Sequence, residues 1–202
     1  MSTGTSAPTP SLSLWQEAKA YVRNVRNFNL EDWMRYSSYM TMLFGLFVGV
    51  SAFLLTGHLN GVSYPGYVWF IPGGTGLFVV SLAFDEIGHR TLYKEALKSG
   101  EGYVHQMIIV TAVTSVMALC LCFQHPGTFT YPAMGLIALS LFYSAVDEAL
   151  HWQRYLARGV DRVEMWSHFF AITGHVLMIL CWWHWAQEGY PGVKETLAVL
   201  PF

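Results

Sequence analysis

Five stretches of the chain, 37–57, 66–88, 103–124, 131–152 and 166–187, are nearly free of charge over about 20 residues each, enough for a helix to cross a hydrocarbon layer about 30 Å thick. Backbone N–H and C=O groups in hydrocarbon find no water, so each stretch must bond to itself as a helix. The expected fold is therefore all-α, an integral membrane bundle of about five transmembrane helices. Composition agrees, with 53% hydrophobic residues against 12% charged ones, outside the usual balance of a soluble domain. A formal charge of −2 without any polybasic run excludes nucleic acid as a partner. Cys120, Cys122 and Cys181 fall inside apolar stretches and read as small core residues rather than disulfide partners.

The first residues, 1–12, are rich in Ser, Thr, Pro and Gly and read as a disordered tail; 13–202 reads as one membrane domain. Trp15, Ala18, Val22, Val25 and Phe28 recur at helical spacing, with Lys19, Arg23 and Arg26 on or beside the other face, the pattern of an N-terminal interfacial helix on a membrane surface. Pro72-Gly73-Gly74 is expected to kink or loosen the second span, while Pro65-Gly66, Pro126-Gly127 and Pro132 mark connections. The segment from Gly189 to Phe202 carries no clear pattern.

Orientation follows from the cations. Lys19, Arg23, Arg26 and Arg35 precede span one, Arg90, Lys94 and Lys98 lie between spans two and three, and Arg154, Arg158 and Arg162 lie between four and five; the two alternate loops have no Lys or Arg. Cytoplasmic retention of Lys and Arg predicts a cytoplasmic N-terminus and a C-terminus on the opposite side, with a bacterial inner membrane as the expected compartment.

A shift of 62 residues carries Ala83, Asp85, Glu86, His89 and Tyr93 onto Ala145, Asp147, Glu148, His151 and Tyr155, and one further residue carries Glu101 and His105 onto Glu164 and His168. The matches predict two repeated helical hairpins, about 66–124 and 131–187, around a pseudo-two-fold axis. Glu86 with His89, and Glu148 with His151, are three apart; Glu101 with His105, and Glu164 with His168, are four apart. Each pair shares a helix face. Counted along the spans at 1.5 Å per residue, all fall at the cytoplasmic level. Carboxylates gathered in or near lipid are costly and repel one another, which a multivalent cation relieves. Glu86, His89, Glu101, His105, Glu148, His151, Glu164 and His168 are the candidate metal ligands. Tyr93 and Tyr155 are expected behind them as hydrogen-bond partners, Asp85 and Asp147 either there or among the ligands, and His175 as such a partner, a proton-path residue or a polar helix contact. His58, His125 and His184, at the other ends of their spans and without carboxylate companions, read as interfacial histidines, or as a second metal site.

Paired Glu-x-x-His motifs on two helices, with carboxylates from two others, resemble the ferritin-like di-iron carboxylate proteins. The resemblance implies two metal ions, iron first, with manganese, zinc or copper as alternatives, and Glu86, His89, Glu148 and His151 among the ligands. The expected function is a membrane-bound non-haem di-metal oxidoreductase or oxygenase. Its expected partners are membrane lipid, a hydrophobic small-molecule substrate and an electron donor or larger membrane complex. The alternatives are a metal-ion transporter or ferroxidase-like metal-handling protein, and a haem or structural subunit of a membrane complex.

Overall fold

The computed structural model describes residues 13–92, 102–158 and 162–200. Among these, seven α-helices follow in order: α1 (Leu14–Arg23), α2 (Leu30–Leu59), α3 (Phe70–Thr91), α4 (Gly102–Cys122), α5 (Pro126–Arg158), α6 (Arg162–Gln187) and α7 (Val193–Val199), with no strand. Helices α2 to α6 are the five that are long and apolar enough to cross a membrane. The expected tail over 1–12 lies outside the described residues, as do Tyr93 and Glu101.

Local chemistry sets the helix starts. Ser13 and Gln16 close a capping box at α1, and Asn29 and Asp32 close another at α2, each satisfying backbone N–H groups that a helix start leaves open. Between them a 3₁₀ turn, Asn24–Asn27, redirects the chain. Tyr21 of α1 and Phe28 pack with Ile87 and Val163, so α1 sits against the ends of α3 and α6. Trp15 and Val22 remain exposed.

Three expectations are corrected. Pro132 lies inside α5 rather than in a connection, and α5 begins at Pro126, the first helical position, where the missing N–H costs nothing. Pro72 does not loosen the second span. It sits in the first turn of α3, just after a 3₁₀ turn, Gly66–Trp69, has passed into it, and α3 continues unbroken to Thr91. The third correction concerns pairing. Spans two and three do not form a packed hairpin: α3 packs along α6, and α4 along α5. Gly74 explains why α3 chooses α6. A Cβ at Gly74 would come within 2.7 Å of the Met178 backbone nitrogen, and one at Gly174 within 2.6 Å of that of Phe78. The two backbones touch at glycines on both sides, the small-residue contact that helices in lipid use for close approach.

The far end of the bundle is closed by the C-terminal segment. After α6 the chain turns through Gly189 and Tyr190, both at positive φ, and Tyr190 donates its hydroxyl to the Leu119 carbonyl. Helix α7 then returns against α2, where the Thr196 and Tyr64 hydroxyls meet. Gly192, at φ 90°, faces the Tyr64 ring so closely that a Cβ there would collide with it.

Candidate metal centre

Four helices bring ionisable side chains to one end of the bundle: the last two turns of α3, the first turn of α4, the C-terminal part of α5 and the first two turns of α6. Two groups have ligand-type atoms all within 4.8 Å of one another. One is Asp85, His89, His151 and His168; the other is His105, Asp147 and His151. His151 belongs to both, so the six residues make one continuous cluster. Five of the six are buried, His89 and His151 at 1% exposed, Asp85 and His168 at 5% and Asp147 at 7%, while the His105 side chain is 16% exposed.

The contacts repeat in kind. His168 Nε2–H donates to Asp85 Oδ1 at 2.8 Å across α6 and α3, and His105 Nε2 lies 2.9 Å from Asp147 Oδ1 across α4 and α5. Within helices, His89 Nε2 is 3.2 Å from Asp85 Oδ1, and His151 Nε2 is 3.6 Å from Asp147 Oδ1. Each pair joins one aspartate and one histidine, Asp85 with His89 and His168, Asp147 with His105 and His151. His151 and His168 stack with ring centroids 3.4 Å apart.

The structure rearranges the sequence-predicted ligands. It brings His89, His105, His151 and His168 together as expected. Glu86 and Glu148 stand outside the two groups: Glu86 pairs with Arg90, one turn along α3, and Glu148 approaches His168 Nδ1 no closer than 4.0 Å. Asp85 and Asp147, for which the spacing leaves both places open, take the central ones. Adjacent residues on a helix point about 100° apart, so a rotation of α3 or α5 decides which carboxylate faces inward. Glu164 accepts from His151 Nδ1–H at 2.9 Å and belongs to neither of the two groups. This carboxylate–imidazole arrangement fixes ring orientation and tautomer in metal sites. Tyr155 packs beside Trp152 and belongs to neither group.

His175, two turns deeper on α6, is fully buried and meets two serines that drew no notice in the sequence. Ser140 Oγ–H already donates to the Ile137 carbonyl, so His175 Nε2–H donates to Ser140 Oγ, at 3.5 Å, and Nδ1 accepts from Ser144 Oγ–H at 3.1 Å. Their spacing, four apart on α5, is the only sequence signal that could have revealed them. A cavity of about 40 Å³ joins this group to Asp147, Glu148 and His168, room for one water among polar partners. At the other end of the bundle, His184 lies 3.4 Å from Glu188 and His58 packs on Trp69. No metal-type group forms around them among the described residues.

The donor set suits a cation. Two carboxylates and four imidazoles converge from four helices at one end of the bundle, and carboxylates gathered together repel one another unless a cation neutralises them. His105 Nε2 and Asp147 Oδ1, 2.9 Å apart, supply an imidazole and a carboxylate to the same cluster. Imidazole and carboxylate together suit iron, manganese or zinc.

No protein-family model, no curated protein and no solved structure matches the chain.

Proposed function

We propose that this chain is an integral membrane metalloprotein, its N-terminus cytoplasmic, whose Asp–His cluster holds two metal ions, iron in the first instance, and that it oxidises a hydrophobic substrate. The single observation behind this reading is the convergence of Asp85, His89, His105, Asp147, His151 and His168 from four helices, all but His105 buried. Iron held there would supply one-electron redox chemistry, and Asp85 and Asp147 would neutralise part of its charge. Glu164 holds the His151 ring through Nδ1. The level of the cluster, near the helix ends that carry the cations, lets electrons arrive from a cytoplasmic donor while the substrate comes from the bilayer. The N-terminal helix, with Trp15 and Val22 outward, rests on the membrane surface in this reading.

The test is elemental analysis of protein purified from its native membrane, beside a variant carrying both Asp85→Asn and Asp147→Asn. Stoichiometric metal in the natural chain and its loss in the double variant are expected. Metal absent from the natural chain, or kept in full by the variant, would overturn the reading. A Soret band would replace it with haem ligation, and net ion movement into proteoliposomes without substrate turnover would replace it with transport.

A further inference from the structure

Helices α3 and α4 do not pack along each other among the described residues, and the space between them, walled on a third side by α2, is a cavity of about 760 Å³. That volume falls in the range of small-molecule sites, roughly 300–1,000 Å³. Its chemistry changes along its length. Where α2 begins and α3 ends, it is lined by Arg35, Ser38, Glu86 and Arg90; about 12 Å further along α2 the lining has become Leu43, Phe78, Ala112 and Val113. Asp85, His105 and Asp147 of the cluster line it between the two ends.

At the polar end the Arg90 guanidinium meets Glu86, one terminal nitrogen is 3.9 Å from Asp32, and its enclosed Nε–H has no acceptor among the described residues. A guanidinium presents its N–H groups in a fixed planar fork that matches the oxygens of a carboxylate or phosphate. A buried N–H left unmatched is costly unless a ligand supplies the oxygen.

We infer that the cavity binds a single-chain amphiphile with a compact anionic head, the head on Arg90 and the chain running past Asp85 and His105 to the apolar end. Arg90 is five residues beyond Asp85 on α3, about 7.5 Å along the helix, so the carbons carried to the cluster are those nearest the head. The binding itself stands on the cavity; the significance of that carbon position rests on the metal-centre reading above.

The experiment uses the full chain, metal content measured, in nanodiscs of zwitterionic phosphatidylcholine, which keep anionic single-chain amphiphiles out of the preparation. Binding of radiolabelled palmitate is followed with hexadecyl phosphate and hexadecanol as competitors. One palmitate per chain is expected, displaced by excess unlabelled palmitate and at least tenfold less well by hexadecanol. Displacement by hexadecyl phosphate as effective as that by palmitate assigns the site to oxyanion heads in general, and weak displacement assigns it to carboxylates; either supports the inference. Arg90→Lys, which keeps the charge and removes the fork, should weaken binding tenfold or more. Val113→Trp, which fills the apolar end, should abolish it while leaving metal content unchanged. Hexadecanol competing as well as palmitate, or full binding by Val113→Trp, would overturn the inference. Metal-free protein that still binds palmitate sinks the metal reading alone, whereas metal-replete protein that binds none sinks this one alone.

Discussion

His168 Nε2 on α6 lies 2.8 Å from Asp85 Oδ1 on α3, joining two helices that α4 and α5 separate in the chain. Its counterpart, His105 with Asp147 at 2.9 Å, joins α4 to α5. The cluster is thus cross-braced by the same two residue types at each tight helix pair. If the cluster holds metal as proposed, the aspartates, rather than the neighbouring glutamates, are the carboxylates on which binding should depend. Asp85→Asn or Asp147→Asn should each reduce metal affinity tenfold or more in a competitive chelator titration. Glu86→Gln and Glu148→Gln should leave the number of metal ions per chain unchanged. The reverse ranking would return the glutamates to the ligand set.

Glu164 acts through His151. Replacing it with Gln removes the carboxylate behind Nδ1 and keeps the size of the side chain, and such partners are typically worth 10–100-fold in metal affinity. The expected signature is full occupancy at saturating metal with affinity reduced by that factor. A loss of occupancy that excess metal fails to restore would instead mark Glu164 as a ligand.

Gly74 and Gly174 set how closely α3 and α6 approach. Gly74→Ala or Gly174→Ala places a methyl group against the opposing backbone, an overpacking that should cost about 1–3 kcal/mol. By separating the helices that carry Asp85 and His168, it should also lower metal affinity. Gly135→Ala, where no atom lies within 4 Å of the added carbon, is the control. Reversible unfolding in mixed micelles reads the first effect, and a tolerant Gly174→Ala variant would refute the close approach.

His175 and Ser144 should be coupled but not required for metal. A double-mutant cycle with His175→Leu and Ser144→Ala is expected to give about 0.6 kcal/mol, and no more than about 1.7 kcal/mol, the range found for hydrogen bonds between membrane helices. Metal stoichiometry should survive in all members of the cycle. Its loss in His175→Leu would enlarge the metal centre toward the bilayer middle.

Glu17 ties α1 to the start of α6 through two bonds to Arg162, at 2.7 and 3.0 Å. The Arg162 hydrogen bond holds the Glu17 carboxyl below the ordinary glutamate range. A carboxyl lowered on folding contributes above its free value, and that contribution is lost as pH falls through the lowered one. Protease cleavage within α1 should therefore accelerate only under acid conditions, below the ordinary glutamate value. Glu17→Gln should show the faster cleavage already at neutral pH. Cleavage of the natural chain that does not change with acid would mean that packing of Tyr21 and Phe28 alone holds α1.

Much of this was legible in the sequence because it depends on short-range periodicity. Five apolar runs long enough to span a membrane, each obliged to satisfy its own backbone, define the number and kind of the major helices. The repeated Asp-Glu-x-x-His, with the recurrence of His105 as His168, identifies which imidazoles meet, because residues at equivalent levels of neighbouring helices arrive at one depth. Tertiary structure decided the rest. Asp85 and Glu86 both lie within reach of His89 on one helix, and sequence spacing does not fix the rotation that turns one inward. That rotation is fixed where Gly74 meets Gly174 and α3 locks onto α6, a contact between residues far apart in the chain. The same contact draws α3 away from α4 and leaves the cavity beside Arg90, a space that no local pattern of residues encodes.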